Sequence, residues 1–259
     1  MTDSTKQQSK LVTTRDGSHT VYSSQFDQHY HNPNGAVAES KHVFFEQSQL
    51  LDDIENSSSF TILEVGFGTG LNLLLLMDYA LNANSKSTID FYSVEGFPIT
   101  PGTAESLNYS RHLNHPELTD HLTNIFSNLS DGMNTFSLTP NITLHLFKGM
   151  FDDFNPQNPG ADYLFHDAFS PDVNPELWTG ETFERLSNVS SEKAILTTYC
   201  AASKAQGAMA WAGWKVAKTQ GALGKREMII ASRSEAPLSA FDRINEERFA
   251  CRFEEGDFD

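Results

Sequence analysis

FTILEVGFGTGLNLLLLMDYA, residues 60–80, is the stretch that decides the fold. FTILEV (60–65) carries apolar residues on both faces and reads as a parallel strand covered on both sides. Three glycines in five positions follow, Gly66, Gly68 and Gly70, and then LNLLLLMDYAL (71–81) reads as a helix buried on most of its sides. A strand, a Gly-rich turn and a buried helix form the unit that cradles a nucleotide cofactor at the helix start. The turn is G-x-G-x-G. The dinucleotide fingerprint G-x-G-x-x-G would need glycine at position 71, where this chain has Leu71. No Lys-Ser/Thr follows, as a P-loop would require, so a phosphate-bearing nucleotide is not the expected ligand.

Two acids point to S-adenosylmethionine instead. Glu64 precedes the turn, and Glu95 stands 25 residues after Gly70, at the end of a second apolar run, IDFYSV (89–94). The glycines let the backbone approach the methionine part. A strand-end carboxylate can accept both ribose hydroxyls, and acidic surroundings suit a sulfonium cation.

Working outward, ITLHLF (142–147), DYLFHD (162–167) and AILTTY (194–199) read as three more buried strands, and WKVAKTQ (214–220) and REMIIAS (226–232) flank GALGK as an antiparallel hairpin. The expected fold is α/β: a seven-stranded, mostly parallel sheet with an antiparallel last strand. TPGTAESLNYSRHL reads as a helix with Pro101 in its first turn, and ELWTGETFERLSNV as one with Leu177, Trp178, Phe183 and Leu186 inward. The expected organisation is an N-terminal extension or lid over 1–59, a cofactor-binding domain over 60–233 and an acidic tail over 234–259. In the tail, Phe241, Ile244 and Phe249 are spaced for one short helix.

The chain has 259 residues, enough for one sizeable core, and a formal charge of −16. It shows no signal-peptide order and no apolar run long enough to cross a bilayer, so a cytoplasmic protein is expected. Two cysteines, Cys200 and Cys251, are too few for a disulfide framework or a zinc site and are expected to be free thiols. The negative charge argues against nucleic acid, but its distribution is uneven. Between Lys193 and Arg233 lie seven basic residues and one acid, Glu227, a segment that suits either a solvated face or a polyanion surface.

A second constellation, HDAFSPDVNPELWT (166–179), starts at the carboxyl end of the fourth strand, the edge where open α/β sheets bind ligands. Asp167 can accept hydrogen bonds from an amine, and Phe169 can wall a planar base. The same loop can cap a helix through Asp172 or Asn174, with Pro175 in the first turn. His29, His31, His42 and His166 invite a metal or acid–base cluster. His166 and Asp167, however, point to opposite faces while the strand lasts, and no metal is expected. The lead-in histidines, with Tyr22, Phe26 and Tyr30, are expected to cover the site.

These segments together resemble the methyltransferase domain of the bifunctional enzyme that makes 5-methylaminomethyl-2-thiouridine at the wobble position of bacterial tRNA. The resemblance runs over roughly residues 15–232 and is carried by DGSHTVYSSQFDQHYHNPNGAVAESKHVFF, EVGFGTGLN, SVEGFP, HDAFSPDVNPELWT and GALGKREM. It implies a Rossmann-like class I S-adenosylmethionine-dependent methyltransferase, expected in a stand-alone form without the flavin-dependent oxidase. It further implies methyl transfer to the primary amine of 5-aminomethyl-2-thiouridine in tRNA, with a separate enzyme supplying the aminomethyl substrate. Asp167 is then the catalytic residue, and Glu64, Gly66, Gly68, Gly70, Asn72, Glu95 and Met150 hold the cofactor. Phe169, Tyr199, Lys204, Lys225 and Arg226 are the expected substrate contacts.

An alkyl amine of pKa about 10 is neutral in only roughly one molecule per thousand at pH 7, a cost of about 4 kcal/mol, so a carboxylate that orients the ammonium has a task. Two positions depart from the family. Met150 stands where an acid usually receives the adenine amino group, with Asp152 and Asp153 close behind, and YCAASKAQGAMAWAGW keeps only Lys204 where a paired-arginine segment is usual. Two other readings stay open: a methyltransferase of the same fold acting on a small molecule or other amine, and a cofactor-binding interaction protein without turnover.

Overall fold

The computed structural model describes residues 9–157 and 159–258. The first eight residues of the expected N-terminal extension, and Asp259 of the expected tail, lie outside them.

The lead-in is built. Strands β1 (Lys10–Thr13), β2 (His19–Ser23) and β3 (Gln28–His29) form a small antiparallel sheet. Helix α1 (Ala36–Ser40) then runs into a π-helical turn, Lys41–Glu46, and α2 (Leu50–Asn56) leads into the main sheet. That sheet begins with β4 (Ser59–Val65), α3 (Leu71–Asn82) and β5 (Thr88–Glu95), followed by α4 (Pro101–Glu105), α5 (Thr119–Asn128), β6 (Gly132–Thr139), β7 (Ile142–Lys148) and β8 (Ala161–His166). It is completed by α6 (Gly180–Asn188), β9 (Ser190–Thr198), α7 (Ser203–Trp211), β10 (Lys215–Gln220), β11 (Glu227–Ser232), β12 (Asp242–Arg243) and α8 (Glu246–Glu254).

Nine strands pair in the order β12-β10-β11-β9-β8-β4-β5-β7-β6. The five expected parallel strands are β7, β5, β4, β8 and β9, and β11 inserts antiparallel between β9 and β10. The expected count of seven is therefore two short. β6 is an added edge strand, antiparallel to β7, and its outer positions alternate with exposed ones because only one face is covered. β12 pairs with β10 through only two residues, too short to leave a periodic signal.

Alternation along the strands builds two cores. Ile62, Phe91, Leu144, Phe165, Ile195 and Ile230 face α3 and the lead-in residues Phe44 and Phe45. Their neighbours Leu63, Val65, Leu164, Leu196 and Ile229 face Trp178, Phe183, Leu186, Met209 and Trp214. Helix α3 is covered on nearly every side, with Leu73 through Met77 fully buried. In the segment read as one helix from Glu176 on, a 3-10 turn, Pro175–Trp178, precedes α6, and Thr179 caps α6 by accepting from the Thr182 N–H. The expected tail helix starts late. Phe241 and Ile244 precede it, and only Phe249 lies in α8. Gly207 lets α8 close on α7, since a Cβ there would lie 2.9 Å from Phe253 Cβ.

Candidate active site

The chain leaves β4 in both directions across the sheet, toward β5 and toward β8, so the crevice lies at the carboxyl ends of these strands. The turn after β4, Glu95 at the end of β5 and Asp167 just past the end of β8 all arrive there.

The turn requires its glycines. Gly66, Gly68 and Gly70 have φ of 95°, 54° and 76°. A Cβ on Gly66 would lie 2.8 Å from the carbonyl oxygen of Asp167, and one on Gly68 3.1 Å from the Tyr30 ring. The Gly66 and Phe67 N–H groups both donate to Val94 O, at 3.1 and 3.2 Å, which stitches the turn to β5.

Beside it opens a cavity. Its wall includes Gly66, Gly68, Asn72, Glu95, Phe97, Met150, Asp152, Asp167 and Phe169, and from the lead-in Phe26, Tyr30 and His31. Glu95 is anchored by N–H donors from Gly68 (2.8 Å) and Phe97 (2.7 Å), one on each carboxylate oxygen. Each oxygen keeps a lone pair for a ribose hydroxyl. Burial raises its pKa, opposed by those two bonds. Met150 is 47% exposed at the rim, its sulfur 3.2 Å from where a Gly96 Cβ would stand, so it offers an apolar surface and no strong acceptor. Asp152 also lines the cavity but is paired with Arg185 at 3.2 Å.

Glu64 stands elsewhere than expected. It is 1% exposed, outside the cavity wall, and accepts from Asn72 Nδ2 at 2.9 Å and Ser93 Oγ at 2.8 Å. Burial pushes its pKa up to about 8. The same Asn72 nitrogen donates to Asp167 Oδ2 at 3.0 Å. Burial, with the negative charges of Glu64 and Glu39, holds the Asp167 carboxyl well above the usual carboxylate range. In its ionised form a carboxyl so raised is a stronger base than an ordinary one.

Phe169 closes the acceptor side, 5.0 Å from the Phe26 ring and 5.1 Å from Tyr30. Phe26 in turn lies 5.1 Å from Phe97, so one lead-in ring bridges the residue after the Glu95 turn and the residue after the Asp167 turn. The buried indole of Trp178 donates to Phe169 O at 2.8 Å and holds this loop. His31 lies below the turn, within 2.7 Å of Thr69 Oγ1, which meets Tyr109 OH at 2.8 Å; burial lowers the His31 pKa to about 4. Tyr22 bonds Asp27 and lies outside the cavity wall. His166, the last residue of β8, faces away into the second core against Trp178 and Phe183, and burial lowers its pKa to about 3. Among the described residues no group of three or more His, Cys, Asp or Glu is placed to hold a metal ion.

The other expected substrate contacts are not in the cavity wall. Tyr199 donates to Ala168 O at 2.9 Å, behind the Asp167 loop. Lys225 lies 4.9 Å over the Tyr199 ring and pairs with the buried Glu39 at 3.2 Å, so its charge is held by the lead-in. Lys218 pairs with Glu227 at 2.8 Å, and Arg233 donates to Ser190 O at 3.0 Å. Much of the basic surplus of 193–233 is thus engaged within the chain. Arg226 is 94% exposed, and Lys204 is partly exposed at the start of α7. Sequence reasoning missed Phe97, and it read Asn72 as a cofactor ligand without seeing that its amide also links two acids. For Phe97, SVEGFP had placed an aromatic two residues beyond the ribose acid.

The residues present fit S-adenosylmethionine. A side chain at Gly66 would collide with the Asp167 loop and one at Gly68 would crowd the Tyr30 ring, Glu95 offers acceptors at the cavity's edge, and the buried Asn72 Oδ1 has no partner among the described residues.

Residues 114–234 match the model of a family described as S-adenosyl-L-methionine-dependent methyltransferase. The chain is 32% identical over 238 residues to the tRNA 5-methylaminomethyl-2-thiouridine biosynthesis bifunctional protein MnmC of Leptospira borgpetersenii, covering 90% of this chain and 36% of that protein. It is 31% identical over 227 residues to the protein of the same name from Marinomonas sp., covering 85% and 33%. The chain therefore spans about a third of the length of the curated relatives it matches. In fold it is similar to the crystal structure of MNMC2 from Aquifex aeolicus, with a TM-score of 0.74, 24% identity, and coverage of 97% of this chain and 77% of that one. The chain is similar to the S-adenosyl-L-methionine-dependent methyltransferases over residues 114–234, and to the methyltransferase part of the MnmC proteins.

Proposed function

We propose that this methyltransferase acts on tRNA, converting 5-aminomethyl-2-thiouridine at the wobble position to 5-methylaminomethyl-2-thiouridine. One observation carries the reading: a carboxyl, Asp167, stands in the cofactor cavity next to an aromatic wall, Phe169, in a chain similar to proteins named for this pathway.

S-adenosylmethionine supplies the electrophilic methyl group. When it is bound, Gly66, Gly68 and Gly70 would admit its methionine part, Glu95 would accept from its ribose, and Met150 would offer an apolar surface to its base. Asp167 receives the substrate ammonium, orients it and takes its proton, so that the lone pair meets the methyl group in line; holding that geometry supplies most of the acceleration. Phe169, with Phe26 and Tyr30 above it, stacks on the displaced uracil and excludes water. Arg226 and Lys204 contribute contacts to the phosphate backbone, and another enzyme supplies the aminomethyl group. No helix among the described residues is long and apolar enough to cross a membrane, and a cytoplasmic site of action is part of the proposal.

The test is incubation with labelled S-adenosylmethionine and tRNA from cells lacking this methylation. Label entering the wobble nucleoside supports the reading. Cofactor binding with no RNA labelled sinks it.

A further inference from the structure

The buried link through Asn72 joins an acid behind the wall of the site, Glu64, to one in it, Asp167. Asn72 is 3% exposed, and its one side-chain nitrogen donates to Glu64 Oε1 at 2.9 Å and to Asp167 Oδ2 at 3.0 Å. Both N–H hydrogens are thereby used, one for each acid. A flipped amide would turn Oδ1 toward two acceptors, so the carboxyls fix the orientation. Oδ1 is left buried and without a partner among the described residues, in a side chain that lines the cavity. Such an orphan is destabilising unless a ligand supplies a donor. Ser93 Oγ, at 2.8 Å, holds the far oxygen of Glu64.

We propose that Asn72 is a positioning residue: its amide ties Glu64 and Asp167 into one acid pair that takes up the proton shed by the substrate amine, while its Oδ1 accepts an N–H from the same ammonium. The inference rests on the amine-methylation reading.

The proton account balances. The ammonium N–H bond breaks, its electron pair stays on nitrogen, and the proton passes to an Asp167 oxygen. That lone pair then forms the new N–C bond as the S–C bond breaks toward sulfur. The second acid raises the proton affinity of the first, as like charges do at close range, which narrows the gap to an amine of pKa about 10. Other charges facing the pair come from separate elements. Glu39 raises the Asp167 pKa and Lys225 lowers it, and Glu95 raises that of Glu64. Asp167 in turn raises those of Tyr199 and Tyr109.

The experiment is a carbon-13 carboxyl titration of the full chain, which needs neither RNA nor turnover. In the wild type, a carboxyl signal absent from Asp167→Asn should titrate well above the ordinary range. In Glu64→Gln, which keeps the size of the side chain, the Asp167 midpoint should fall by about one pH unit or more. The acidic limb of the kcat/KM profile should move down with it, while KM for S-adenosylmethionine stays within about threefold. A merely structural Glu64 would lower kcat equally at every pH and leave the midpoint in place, and that result overturns the proposal. If Glu64→Gln does not fold, Asp167→Asn reports the coupling from the other side, because the Glu64 midpoint must fall; an unmoved Glu64 overturns the pairing. An intact coupled titration with no tRNA methylated removes the substrate reading alone. An uncoupled titration in an enzyme that does methylate tRNA removes the pair alone.

Discussion

Gly66→Ala tests the cofactor turn where backbone and site meet. The residue sits at φ 95°, which costs an L side chain about 1–3 kcal/mol. The new Cβ would also lie 2.8 Å from Asp167 O. That oxygen cannot yield freely, because the Asp167 N–H donates to Val65 O at 3.0 Å and the Gly66 N–H to Val94 O at 3.1 Å. Overpacking of this kind adds about 1–3 kcal/mol, for a total of about 2–6 kcal/mol. At about 2–4 °C per kcal/mol for a chain of this size, the melting temperature should fall by roughly 4–24 °C. Affinity for S-adenosylmethionine should drop by tenfold or more, because the shifted carbonyl carries the Asp167 loop with it. The control is Gly213→Ala, at φ 84° with nothing within 4 Å of its Cβ and outside the cavity wall. It should cost about 1 kcal/mol and leave cofactor affinity unchanged. Scanning calorimetry and titration calorimetry on both variants read the difference. If Gly66→Ala is no more damaging than the control in either measurement, the contact argument is wrong.

Further predictions concern charge. Asp167→Asn should lower kcat by about 10²–10⁴ while cofactor affinity changes by less than about threefold, in steady-state kinetics and calorimetry; equal losses in both would remove its assigned role. His166 binds its proton less readily in the fold, at about 3 against 6.5 unfolded, so the unfolded state gains protons as pH falls below 6.5 and stability is lost down to pH 3. His166→Phe should therefore lose about 2 kcal/mol less than the wild type in urea unfolding between pH 7 and pH 5, and an identical loss would contradict the burial of a neutral imidazole. Arg226→Ala, whose exposed charge lies 3.7 Å from Glu227, should reduce the salt slope of tRNA binding by about one, whereas Lys218→Ala, held by the same Glu227 at 2.8 Å, should leave it nearly unchanged.

The legible part of the fold was the part made by near neighbours in sequence. The β4 turn and α3 announce themselves because a strand buried on both faces, positive-φ glycines and an all-apolar helix follow one another, and Glu95 and Asp167 were found as polar residues at strand ends. What escaped was made at long range. β6 is half exposed at an edge, and its polar alternation carries little apolar signal. Lys225 read as a phosphate contact until Glu39, 186 positions away, took its charge. Phe26 and Tyr30 could be guessed as cover, but that Phe26 joins Phe97 to Phe169 depends on how a separate small sheet docks. Glu64 and Asn72 shared a motif with the glycines, and only the packing of β4 against β5 and β8 turns Glu64 away from the cavity toward Ser93 and joins Asn72, in the cavity wall, to Asp167.

The most direct measurement is nucleoside mass spectrometry of tRNA carrying 5-aminomethyl-2-thiouridine, digested after incubation with the protein and S-adenosylmethionine. The account predicts that the wobble nucleoside becomes heavier by one methylene unit with the wild type and stays unchanged with Asp167→Asn. An unchanged nucleoside with a wild-type protein that binds the cofactor, or full conversion by Asp167→Asn, would contradict it.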